Sequence, residues 1–324
     1  CRLPRVLALL AALLVFTVAA PAIAHEGEAV GWEVESATEE IVVGRMVLHY
    51  DPELEDDAME LAKNLPAWWS DIERELAGDL DDRLELHFVK YSGRVAEATR
   101  MPQWAAGVAN PPRGEVIIAQ HRPDGSPSDL EALLRHELVH VALYRATDGA
   151  KLPRWFHEGV ADSVGDEISL LRAETMASTV FGAGVPPLDE INQSFRGEGR
   201  EVSVAYAASR DFATYLRYRD GEGTDFRQLL TQLRQGHSFR TSFINAYGAG
   251  LEELEGEWRG GLAGRFAWYP VIGGGGLPFA LFAPAIGFAW WRRRRTMRAA
   301  WARLDREDQL ERERRVGMMG PAHA

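Results

Sequence analysis

The spacing of apolar positions changes character along the chain. Residues 41–50 are β-branched and apolar, residues 56–76 carry apolar side chains at helical spacing, and residues 84–90 alternate as a half-buried strand does. Residues 101–109 then run through Asn110-Pro111-Pro112-Arg113-Gly114, a strong breaker, into the apolar run 116–119. After residue 128 the pattern is helical, with further segments expected over 202–219, 225–234, 238–246 and 251–262. Ser128 and Glu131 have capping-box spacing, which predicts Ser128 as the N-cap of the helix carrying residues 133–140. Strands early and helices late predict an α+β fold, a small mixed sheet packed on helices. Residues 25–265 contain no repeat or low-complexity block, so one domain is expected there.

Two longer apolar runs frame that domain. Arg2 and Arg5, the apolar run 6–20 and Ala22-Ile23-Ala24 make the three parts of a secretory signal, so residues 1–24 are expected to be removed after Ala24. Residues 268–291 contain no charged side chain and are followed at once by Arg292-Arg293-Arg294-Arg295. At about 1.5 Å per residue such a helix crosses a hydrocarbon core of roughly 30 Å. A single transmembrane helix is therefore expected at 266–291, with 292–324 as a basic cytoplasmic tail and 25–265 outside, periplasmic or extracellular.

Composition narrows the partners. The tail and signal hold twelve of the 36 basic residues, and the tail holds five of the 48 acidic ones, which leaves 24 against 43 outside, a net charge near -19. That field repels nucleic acid and anionic lipid. The one cysteine, Cys1, precedes the first apolar run, whereas a lipoprotein cysteine would follow it. A mature chain from residue 25 has no thiol, so a disulfide, an iron-sulfur cluster and a cysteine nucleophile are excluded there, and a transition metal must be held by His and carboxylates.

His136-Glu137-Leu138-Val139-His140 offers such a site. On a helix, residues i and i+4 share a face one turn apart, so His136 and His140 can direct imidazole nitrogens at one ion, with Glu137 beside that face to accept a proton. A helix with ordinary surface histidines is the alternative. Catalytic zinc wants three protein ligands and an open position, so two histidines are insufficient.

A second stretch, Trp155-Phe156-His157-Glu158-Gly159, follows shortly after. Together with HELVH it resembles the gluzincin metallopeptidases, the group of thermolysin and the zinc aminopeptidases, and most of all the compact bacterial peptidase MA-like domains. The resemblance is tight over 128–162 and loose over 41–262. It implies a zincin-like domain, a Zn2+ cofactor and a peptide or protein substrate. It also implies Glu158 as third metal ligand, Glu137 as catalytic base and Asp162 as acceptor of the outer N–H of His136. Tyr206 is implied as oxyanion donor, with Arg210 a weaker rival and a purely structural tyrosine left open. His157 points about 100° away from Glu158 on a helix and is not expected to be a ligand. Residues 104–109 are candidates for the edge strand that receives substrate. The Gly-x-Met-Glu-Asn element of the aminopeptidases is absent, which leans towards an endopeptidase. A catalytically silent binding or sensor module anchored in the membrane is the rival reading.

Overall fold

The computed structural model describes residues 39–76, 83–99, 105–165, 170–197 and 199–269, together with Trp32 and Val34. The expected signal segment, nearly all of the expected span and the basic tail lie outside the described residues. Among the described residues no helix is long and apolar enough to cross a membrane. The chain divides into two compact units, Cys1–Gly264 and Arg265–Ala324, and the sheet and the site lie in the first.

Residues 41–50, expected as one extended stretch, belong instead to a hairpin. Strands β1 (Glu39–Val43) and β2 (Met46–Tyr50) pair antiparallel around Gly44, whose φ of 62° is a left-handed conformation that glycine adopts without strain. Helix α1 (Glu55–Leu76) follows and buries Ala58, Leu61, Leu65, Trp68, Trp69, Ile72 and Leu76, a spacing of mostly three and four that makes one face. Strand β3 (Leu84–Tyr91) runs parallel to β2. Helix α2 (Ser92–Thr99) then leads to β4 (Gly107–Asn110) and β5 (Glu115–His121), which pair antiparallel across Pro111–Arg113 and Gly114. The strand order is β1-β2-β3-β5-β4, a mixed five-stranded sheet with β4 at one edge.

Helix α3 (Leu130–Ala146) starts one residue later than the capping-box spacing predicts. Asp129 is its N-cap, accepting from the Ala132 amide at 3.2 Å. The Ser128 amide donates to the Gln120 carbonyl at 2.8 Å, which binds Ser128 to the end of β5 and leaves Asp129 to cap. Glu131 reaches forward to Arg135 at 3.4 Å rather than back to the cap. Every residue from His136 to Leu143 is buried, so α3 is a central helix enclosed on all sides there.

The remaining helices are α4 (Arg154–Gly165), α5 (Leu170–Val180), α6 (Leu188–Ser194), α7 (Arg200–Tyr218), α8 (Thr224–Arg234), α9 (Phe239–Tyr247) and α10 (Leu251–Arg265). The four later segments read from the sequence correspond to α7, α8, α9 and α10 within three residues at each end. Two glycines let three helices approach closely. A Cβ on Gly165 would stand 3.0 Å from the His136 amide nitrogen on α3, and one on Gly159 only 2.4 Å from the Ser209 carbonyl oxygen on α7. Buried Arg217 adds polar ties, donating to the Ser163 carbonyl of α4 and to Glu75 of α1 at 2.6 Å.

This packing predicts opposite outcomes for two glycine substitutions. Gly159→Ala must push α4 off α7 and lowers unfolding free energy by about 1–3 kcal/mol. Gly256→Ala, on an exposed face of α10 with open space around it, raises it by about 0.5–1 kcal/mol. Denaturant unfolding of both variants checks the pair.

Candidate metal centre

Helix α3 brings His136 and His140 to the face that meets α4. Their rings stand edge to face, centroids 4.7 Å apart, with the two Nε2 atoms separated by 3.1 Å. From α4, Glu158 Oε2 comes to 3.7 Å from His136 Nε2. One ligand atom from each of the three lies within 4.8 Å of the others. Tetrahedral bonds of about 2.0–2.1 Å put ligand atoms roughly 3.3 Å apart, so this spacing suits a metal ion.

Burial strengthens the fit. His136, His140 and Glu158 are all buried, and Glu158 Oε2 is enclosed without a hydrogen-bond partner. A buried carboxylate oxygen without a donor is costly, and a cation at that point removes the cost. Two imidazoles and a carboxylate form a donor set that zinc accepts. Among the described residues this is the group of His, Cys, Asp and Glu side chains able to hold a metal.

Asp162, one turn beyond Glu158, places Oδ1 3.0 Å from His136 Nδ1, and so fixes the ring with Nε2 towards Glu158. Arg172 from α5 stands 3.0 Å from the other oxygen of Asp162. Burial alone would raise the Asp162 carboxyl, but Arg172 and His136 outweigh it and hold the group below the usual carboxylate range. Burial likewise opposes a charge on His136, yet its contacts with Asp162 and Glu158 push it up to about 10. His140 goes the other way, held well below its ordinary value by burial and then by His136. Without metal, one proton on His136 supplies positive charge that an ion would otherwise bring.

Glu137 points to the sheet side of the site. Both its oxygens are buried without a hydrogen-bond partner, and burial raises its carboxyl to about 8. Edge strand β4 passes close by: a Cβ on Gly107 would meet Glu137 Oε1 at 3.0 Å and Leu133 Cδ1 at 2.7 Å. Tyr206 on α7 is buried, its ring edge-on to Phe195 at 5.0 Å and under the Arg172 guanidinium at 4.7 Å. Burial, followed by the charges of Glu158 and Asp162, raises its hydroxyl far above the ordinary value, which keeps it a proton donor. Arg210 donates to the main-chain carbonyl of Asp162. His157 lies outside the His-His-Glu group, with its ring 6.1 Å from that of His140.

The sequence model of the Peptidase MA superfamily matches residues 79–264. The chain belongs to the Peptidase MA superfamily. The matched part runs from just before β3 to the end of α10 and includes the whole His-His-Glu group. No curated protein matches the chain. Three side chains of this Peptidase MA domain escaped the sequence reading. Arg154 was in principle legible as an i, i+4 partner of Glu158, at 3.4 Å. Arg172, on α5, and Phe195, just after α6, come from later in the chain with no local signal that they return to α4 and α7.

The charge pattern predicts how the metal-free protein responds to pH. His136 has its folded value raised, so its contribution is complete below about pH 6.5 and is lost as pH climbs towards 10. Glu137, raised to about 8, acts in the same direction up to that pH. Stability measured in chelator falls between pH 7 and 10, and His136→Gln flattens the fall. A rise over that window would contradict the assignment.

Proposed function

We infer that the protein is a zinc metallopeptidase that hydrolyses internal peptide bonds of a peptide or protein substrate outside the cytoplasm. Membership of the Peptidase MA superfamily and the His-His-Glu group support a metal-dependent peptidase. The observation that carries catalysis is Glu137: a carboxylate buried beside that group, with neither oxygen satisfied, is a poor structural residue and a good base.

His136, His140 and Glu158 would hold the zinc ion, and Asp162 would keep the His136 ring in register. Zinc bound there supplies Lewis acidity to the scissile carbonyl and to water. Glu137 takes the proton of the attacking water and delivers it to the departing amine, so it ends as it began. Tyr206, still protonated, donates to the carbonyl oxygen as it gains charge. Strand β4, at the sheet edge and alongside Glu137, is suited to receive an extended substrate by strand addition. The missing aminopeptidase element favours internal bonds over N-terminal ones.

The sequence supports a membrane anchor: a signal at 1–24, an outer domain at 25–265, a charge-free span within 266–291 and an arginine-led tail at 292–324. A second reading, a silent binding or sensor module on the same fold, has one observation in its favour. His136, Glu137, His140 and Glu158 are all buried, so the site is closed as it stands.

Glu137→Gln separates the two readings. As a peptidase, the variant retains zinc and loses about 10²–10⁴-fold in kcat on a mixed peptide library, and Tyr206→Phe loses about 10²–10³-fold. Equal, negligible cleavage by wild type and Glu137→Gln, both zinc-loaded, would favour the silent module.

A further inference from the structure

The two oxygens of Glu158 stand in different surroundings. Oε2 faces His136 and has no hydrogen-bond partner, while Oε1 accepts from Arg154 Nε at 3.4 Å. Arg154 lies one turn before Glu158 on α4, and its guanidinium also sits 5.1 Å over the ring of Phe195. Phe195, in turn, stands edge-on to Tyr206 at 88°. The guanidinium is thus held from two directions, by a carboxylate oxygen and by a ring face.

Coordination chemistry gives that arrangement a purpose. A carboxylate with both oxygens free can bind a metal through one or through both, and the second mode fills a position that substrate or water needs. Three protein ligands offering one atom each leave that position open. An exposed Arg–Glu pair one helical turn apart contributes little. Here Glu158 is fully buried, so the loss of Arg154 leaves its charge short of a partner.

We propose that Arg154 is a positioning residue: it ties down Oε1 so that Glu158 offers Oε2 alone to the metal, and Phe195 steers the guanidinium into place. The inference rests on the metal centre proposed above. It makes Phe195 a link between the ligand carboxylate and Tyr206, since the same ring touches Arg154 and Tyr206.

The test uses the full chain as wild type, Arg154→Gln, Arg154→Lys and Phe195→Leu. Zinc affinity is measured by competition with a chelator, and the visible spectrum of the cobalt(II)-loaded protein reports coordination number. Arg154→Gln is expected to lose about 10–100-fold in zinc affinity and to show weaker cobalt absorption as a second oxygen binds. Arg154→Lys recovers most of both, and Phe195→Leu shows a smaller loss in the same direction. Metal-free Arg154→Gln melts below wild type, because buried Glu158 is left short of a partner, and the cobalt spectrum reads the coordination change separately from that loss.

Unchanged affinity and spectrum in Arg154→Gln would overturn the proposal, as would a fall in kcat/KM with the metal undisturbed, which would put Arg154 against substrate. If Arg154→Gln does not fold, an unchanged cobalt spectrum in Phe195→Leu overturns it equally. A wild-type chain that takes up no metal would overturn the metal centre and this inference with it, whereas zinc in wild type with an unaffected Arg154→Gln defeats the inference alone.

Discussion

Glu158 carries a buried oxygen, facing two imidazoles, with no hydrogen-bond donor on it. A bare carboxylate in such a place is among the costlier things a fold can contain, and the surrounding structure answers to it. Arg154 meets the other oxygen, and His136 on the facing helix is turned by Asp162 so that its Nε2 looks at the carboxylate. Arg154 and His136 offset part of its charge, and a cation between the three side chains of the His-His-Glu group would offset the rest.

Bringing those groups together depends on helix approach more than on the sheet. Gly165 admits the main chain of α3 at His136, and Gly159 admits the main chain of α7 at Ser209. The same face of α7 carries Tyr206 into electrostatic range of Glu158 and Asp162. The sheet's part is to set the other wall. Strand β4 has glycine where Glu137 and Leu133 come closest, so Glu137 and the edge strand share a space that a larger residue would fill.

The His-His-Glu group was legible because its information is local. His136 and His140 are one helical turn apart, and Glu158 and Asp162 repeat that spacing on the next helix. The hairpin at Gly44 was missed because an apolar run on both sides hides a two-residue turn. The cap moved from Ser128 to Asp129 because Ser128 is held by Gln120, a contact across separate elements that no capping pattern contains. Arg172 and Phe195 were beyond reach for the same reason, since only the tertiary fold returns them to Asp162 and Arg154. The membrane span and signal rest on composition, which the described residues do not address.

The most direct test of the metal centre is the zinc content of the purified full chain after dialysis, by elemental mass spectrometry, beside Glu158→Ala and His140→Ala. About one zinc per chain in the wild type, lost or weakened in both variants, is the predicted result. No zinc in the wild type, even after the metal is offered, would contradict it and leave the two histidines as ordinary residues of a buried helix.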